Sequence, residues 1–212
     1  KKQGMTLGRA TLGVLMDRLF GMLGLILLVL FSIPFVFELV NDSIARTGVL
    51  FITLGASFTL MFMFFTDKLP GNFSHLRIIK GFYALSKGAR HCISNRFSGI
   101  IILILSLLLH IISVVAVMII SIGIGINIEW LGFFLIIPLV TLIMVVPVSI
   151  AGWGVREGAM VVGFSYLSVE SEAALALSIL YGLTILVVAL PGGIIWAFKR
   201  SHTSRSAKSD SN

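Results

Sequence analysis

The stretch Pro147-Val148-Ser149-Ile150-Ala151-Gly152-Trp153-Gly154-Val155-Arg156-Glu157-Gly158 decides how this chain is read. Apolar segments flank it, Leu131–Ile150 before and Ala159–Leu167 after. It holds one proline, three glycines and two adjacent opposite charges. A helix interior tolerates that combination badly, because proline removes a backbone donor and glycine costs backbone entropy. A charge at the centre of a bilayer costs about 2.5–3.5 kcal/mol on insertion scales. The stretch is therefore read as a broken or re-entrant element that lines a polar cavity.

Composition supplies the solvent for that reading. Of 212 residues, 58% are hydrophobic and 12% charged, and the mean hydropathy is +1.08. Soluble domains do not carry so much apolar residue. Several apolar runs reach the roughly 18–20 residues that cross about 30 Å of hydrocarbon. The expected fold is all-α, a polytopic transmembrane helix bundle with a broken or re-entrant helical hairpin around residues 131–169. No polar segment is long enough to bury a core of its own. Residues 1–198 are read as a single transmembrane domain, and 199–212 as a Ser-rich, basic, disordered cytoplasmic tail.

Spans are expected near 19–40, 47–65, 97–126 and 131–150, with a re-entrant piece at 156–168 and a last span at 173–198. The one long polar connection, Thr66–Arg96, carries Lys68, Arg77, Lys80, Lys87, Arg90 and Arg96 against a single acid, Asp67. Phe73, Leu76, Ile79, Phe82 and Tyr83 recur in it near helical spacing, as in an amphipathic helix on the inner leaflet. Basic loops stay inside, so this loop and the tail are assigned to the cytoplasm. The loops with Glu38, Asp42, Glu129, Glu170 and Glu172 face outside, with Arg46 as their base. Residues 130 and 172 then lie on the same side, so the chain between them must enter and return. The piece at Gly158–Leu167 covers only about 15 Å, which makes the hairpin uneven. Irregular backbone at that depth is tolerated only in protein or facing water.

Arg156 and Glu157 are the leading site candidates, Arg156 for a phosphate such as that of a lipid headgroup or a counter-acid and Glu157 for a basic group, with Gly152, Gly154 and Ser149 around them; the alternative is a structural charge clamp near the cytoplasmic interface. On a helix the two charges point about 100° apart, so each is expected to find a different partner. Arginine and a helix N-terminus both favour anions such as phosphate. Asp17 and Arg18 form a supporting charge pair, either snorkelling at a span end or reaching Arg156 and Glu157 across the bundle. His110, within the third span, is read as a helix–helix hydrogen-bonding residue, with a proton relay as the alternative. Gly21, Gly24, Gly123, Gly125, Gly192 and Gly193 suit close helix packing. The single cysteine, Cys92, excludes an intrachain disulfide and is read as a reduced side chain in the cytoplasmic loop. No catalytic residue, metal ligand set or cofactor motif is read in the chain: it has no HExxH, nucleophile elbow or P-loop. The net charge of +7 suits anionic lipid headgroups, and no nucleic-acid partner is expected.

Residues 147–159 closely resemble the P-x-S-x-x-G-x-G-x-R-E-G signature of the lysylphosphatidylglycerol synthase transmembrane-region family, also called flippase-like integral membrane proteins. Val14-Leu15-Met16-Asp17-Arg18-Leu19-Phe20-Gly21 is similar to its DR segment. Leu175-Ala176-Leu177-Ser178 and Leu190-Pro191-Gly192-Gly193 are similar to its closing helix. The resemblance implies a bacterial inner-membrane protein that handles a phospholipid or lipid-linked headgroup. It also implies further spans ahead of those seen here, so the chain is read as an N-terminally truncated member. In the family a separate soluble domain makes an aminoacylated phospholipid. No segment here is read as that domain, so the expectation is a transporter-like protein whose partners are anionic phospholipid or a lipid-linked substrate. A lipid-modifying enzyme is a further expected partner. The alternatives are the membrane subunit of an aminoacyl- or glycosyl-lipid synthesising enzyme, or a non-transporting scaffold for one.

Overall fold

A computed structural model describes residues 7–65, 96–145 and 152–209. Six helices follow one another: α1 Leu7–Leu39, α2 Ser43–Phe65, α3 Arg96–Gly123, α4 Trp130–Met144, α5 Val155–Ser165 and α6 Ser171–Ser209. No strand occurs among the described residues. The segments Met16–Glu38, Ser43–Phe65, Gly99–Gly123 and Ser171–Gly193 are long and apolar enough to cross a membrane. The chain is an all-α, polytopic helix bundle.

The bundle is built around α1 and α4. Half of the α1 segment is buried, against 11% to 22% of the other three spans. Leu19, Met22, Ile26, Val29 and Val36 bury one stripe of α1, while Phe31 on the other side is 73% exposed. Apolar residues all round a helix mark a membrane span, not a water-facing one. On α2, Phe51, Leu54, Phe58 and Met61 likewise face outward. Hydroxyls there need partners without water. Thr47, Thr53, Ser57 and Thr59 each donate to the carbonyl four residues back.

A polar seam joins α1 to α3. Gly24 leaves room for Ser106, since a Cβ there would meet Ser106 Oγ at 2.6 Å. Ser106 Oγ donates to the Phe20 carbonyl and His110 Nε2 to the Gly21 carbonyl, each at 3.0 Å. His110 therefore makes the expected helix–helix hydrogen bond. The other glycines read as packing positions, Gly21, Gly123, Gly125, Gly192 and Gly193, have nothing within 4 Å of an added Cβ, which corrects that expectation. Gly24 keeps that role, and close approach falls also at Gly132, Gly152, Gly163 and Gly182.

The short helices α4 and α5 form the expected hairpin. Gly132 meets Leu167, Phe133 meets Phe164, Ile136 meets Gly163, and Met144 meets Gly152. One number climbs as the other falls, so the two helices are antiparallel. At 1.5 Å per residue they are about 22 and 16 Å long, each short of the roughly 30 Å hydrocarbon layer. Nearly every side of α4 is buried, including Phe133, Leu135, Ile137, Pro138 and Val140. It packs on α1, α3 and α5, and α5 packs in turn on α6.

Several element ends differ from the sequence reading. α1 begins at Leu7, well before Leu19, and α6 runs on to Ser209, past Phe198. α3 stops at Gly123, not Ile126, because a Schellman turn closes it. Ile126 N–H donates to Ser121 O, Gly125 N–H donates to Ile122 O, and Gly125 adopts φ +80°. The Thr66–Asn95 part of the basic loop, including Cys92, and Ser149 lie outside the described residues.

The same turn ends α5, with Val169 N–H on Phe164 O and Ser168 N–H on Ser165 O. There the left-handed position is Ser168, at φ +59°. The two turns predict opposite outcomes. Ser168→Gly is expected to stabilise the protein by about 1 kcal/mol, and Gly125→Ala to destabilise it by about the same amount. Reversible unfolding in mixed detergent–SDS micelles measures both.

Candidate functional site

The site grows from the start of α5. Gly152 and Gly154 hold φ +79° and +83°, which side-chain-bearing residues rarely adopt, and Trp153 lies between them. A Cβ on Gly152 would also overlap the Met144 methyl. Gly154 is the N-cap, so Arg156 and Glu157 occupy the second and third positions of the helix. The Glu157 carboxylate curls back, and its Oε2 accepts the Gly154 N–H. That capping role turns Glu157 towards the side on which Arg156 lies.

Arg156 Nη2 donates to Glu157 Oε1 at 2.7 Å. The expectation that the two charges find separate partners is thereby corrected. Side-chain length closes the gap of about 100° between neighbouring helix positions. Arg156 Nε also donates to Ser178 Oγ at 3.3 Å, and Ser178 Oγ lies 3.4 Å from Glu157 Oε1 as its donor. The Arg156 guanidinium carbon stands 4.9 Å from the Trp153 ring centroid, a cation–π contact. Against Gly182 of α6 the guanidinium lies directly on the backbone.

Arg156 is only 3% exposed and Glu157 13%. Among the described residues no buried side-chain nitrogen or oxygen lacks a partner. Ser178 and Gly182 lie about 10 and 16 Å along α6 from Ser171. The Arg156 guanidinium is therefore level with the middle of the Ser171–Gly193 segment. A charge pair so placed is stable only with nearly complete hydrogen bonding, because desolvation of each ion costs several kcal/mol.

An apolar cleft of about 220 Å³ lies between α1, α2, α4 and α5. Val36 and Val49 line it from α1 and α2, Leu139 and Ile143 from α4, and Ala159 and Val162 from α5. Ala159 is one turn beyond Arg156. Tyr166, which also lines the cleft, donates from Oη to Asp42 Oδ2 at 3.3 Å. Asp42 also caps α2, accepting the Ile44 N–H at 2.8 Å.

Not every predicted residue joins the site. Asp17 and Arg18 are exposed on α1, and Arg156 takes its carboxylate from Glu157, so the cross-bundle pairing is not formed. Ser178 stood only as part of a motif in the sequence, and Trp153 and Gly182 carried no assigned role. One signal for two of them was present: Ala174, Ser178 and Gly182 recur every four residues, a ladder of small side chains that admits a close partner. Among the described residues, no group of three or more His, Cys, Asp or Glu side chains is placed to hold a metal.

The pair predicts a characteristic non-additivity. Glu157→Gln, which leaves Arg156 without a counter-charge, is expected to cost about 3 kcal/mol. The double variant Arg156→Met with Glu157→Gln should be more stable than Glu157→Gln alone. Unfolding of the wild type and both variants in detergent micelles gives the comparison.

No curated protein and no solved structure matches the chain. The family model described as the lysylphosphatidylglycerol synthase TM region matches residues 1–193. Nearly the whole described bundle is covered, including the α4–α5 hairpin and the Arg156–Glu157 pair. The chain is thus a multi-pass membrane protein belonging to the lysylphosphatidylglycerol synthase transmembrane-region family.

Proposed function

We propose that the protein translocates a phospholipid or lipid-linked headgroup between membrane leaflets, using the Arg156–Glu157 site as a stop at half depth. The observation that carries this reading is the buried ion pair level with Gly182, in the middle of a membrane-crossing segment. Ionisable groups at that depth are expensive and default to function. The apolar cleft lined by Ala159, one turn from Arg156, supports the same reading, since it offers an acyl chain a place in the bundle.

The pair also constrains the cargo. In the resting protein the Glu157 carboxylate occupies the donors that an anion would use, Arg156 Nη2 and the Gly154 N–H. It stands in for a phosphate. A purely anionic headgroup that displaced it would leave Glu157 unpaired in a poorly solvated place. A headgroup with both a phosphate and an ammonium exchanges partners without that penalty: phosphate to Arg156, ammonium to Glu157. The cargo class is therefore zwitterionic or aminoacylated lipid, and Gly152 and Gly154 supply the backbone freedom for the exchange.

Full-length protein in vesicles with acyl-labelled lipids tests this, read by leaflet-selective quenching. Phosphatidylethanolamine is expected to cross faster than phosphatidylglycerol, and Arg156→Ala to slow the crossing about tenfold or more, the loss of roughly 1.4 kcal/mol of stabilisation or above. Equal rates with wild type and Arg156→Ala would sink the role given to Arg156. A new lipid species made when a donor is added would favour the enzyme-subunit alternative.

The proposed setting is a bacterial inner membrane with the basic loop and C-terminus inside, a reading supported by the distribution of Lys and Arg. Cys92, the single thiol, reports on it. A membrane-impermeant maleimide is expected to label Cys92 in inverted vesicles and not in intact spheroplasts. Labelling from the outside would reverse the orientation.

A further inference from the structure

Gly182 is buried on α6 at the point where the guanidinium of Arg156 rests. A Cβ at Gly182 would stand 2.7 Å from Arg156 Cζ and 2.8 Å from Nη1, with Nη2 closer still. Arginine side chains often swing aside from such a clash. Here the group is held on its other sides by Ser178 Oγ, the Glu157 carboxylate and the Trp153 ring. Moving it breaks at least one of these contacts and carries a charge into apolar surroundings, because Leu177 and Met160 are buried alongside. Backbone retreat is no easier, since α5 sits in the small-residue ladder of Ala174 and Ser178. Gly192 and Gly193, further along the same helix, have nothing within 4 Å of a Cβ.

From this we infer that Gly182 is the positioning residue of the site. It seats the Arg156 guanidinium at half depth, and Ser178 fixes its rotation. A glycine in a helix interior otherwise costs stability, about 1 kcal/mol relative to alanine. At Gly192 alanine should therefore be neutral or favourable, whereas at Gly182 it should act against Arg156. The role of Gly182 in translocation rests on the lipid reading above, while its hold on Arg156 does not.

Thermal unfolding of the full chain in detergent separates these effects, using wild type, Gly182→Ala, Arg156→Ala, the double variant and Gly192→Ala. Gly182→Ala is expected to lower the midpoint by roughly 5 °C in the wild-type background. In the Arg156→Ala background it should leave the midpoint unchanged or raise it, because the space is then free. An equal fall in both backgrounds, or no fall in wild type, overturns the inference. Should Gly182→Ala fail to fold, recovery of folded protein in the double variant supports the inference and failure of both overturns it. In the vesicle assay, Gly182→Ala should slow translocation to within about threefold of Arg156→Ala, an energy difference below one tenfold step. Gly192→Ala should keep the wild-type rate. Slow Arg156→Ala beside a wild-type rate for Gly182→Ala overturns the positioning role. If the unfolding data show the coupling and neither variant changes translocation, the seat stands and the lipid reading fails.

Discussion

The ion pair between Arg156 and Glu157 governs the architecture around it. A guanidinium 3% exposed needs several partners, and each must come from a different direction. The Glu157 carboxylate, the Ser178 hydroxyl and the Trp153 ring supply three, and the bare backbone of Gly182 lets the group settle against α6. These requirements bring α5 close to α6. They also explain the two left-handed glycines, which turn the chain sharply enough to start a helix at this depth. The shortness of α4 and α5 follows, because a charge placed at mid-depth of a span must be delivered by helices that end there.

The remainder of the bundle deals with the same problem at lower cost. Without water, each hydroxyl or imidazole needs a protein partner. Most hydroxyls on α2 donate back to their own helix, so they place no demand on neighbours. Ser106 and His110 reach across to α1, and Gly24 provides the clearance they need. The α1–α3 seam and the α5–α6 site thus share one device, a glycine under a polar side chain from the next helix. Only the second of them carries charge, and only there does the local geometry depart from ordinary helix chemistry.

How much of this was legible in the sequence depended on which physical rule decided each feature. The hairpin was legible because it follows from charge parity and segment length, both properties of the chain itself. The all-helical bundle followed from long apolar runs. The pairing of Arg156 with Glu157 was hidden, because neighbouring positions diverge on a helix and only the capping turn of Glu157 reunites them. Glycine roles were hidden for another reason: Gly21 and Gly24 lie one turn apart in one helix, yet only at Gly24 would an added Cβ meet a neighbour. Which face of a helix looks inward is weakly encoded when both faces are apolar. The start of α1 at Leu7 was missed because Arg9 interrupts the apolar pattern without interrupting the helix.

Arginine at this position conflicts with a local preference and thereby points to a purpose. The second position of a helix carries the positive end of the helix dipole, where acids are favoured and bases are not. Arg156 stands there, and Glu157 at the next position offsets it. A structural ion pair could have been placed on any turn of α5. Placing it at the N-terminus adds the Gly154 N–H and the dipole to the guanidinium, which concentrates anion-favouring groups on one spot. Lysine would not reproduce the arrangement, because one ammonium nitrogen cannot reproduce the separate Nε and Nη2 bonds to Ser178 and Glu157 while lying flat on Trp153. Local rules are most often broken where function requires it. The anion site proposed above, closed by the protein's own carboxylate, is a reason for breaking this one.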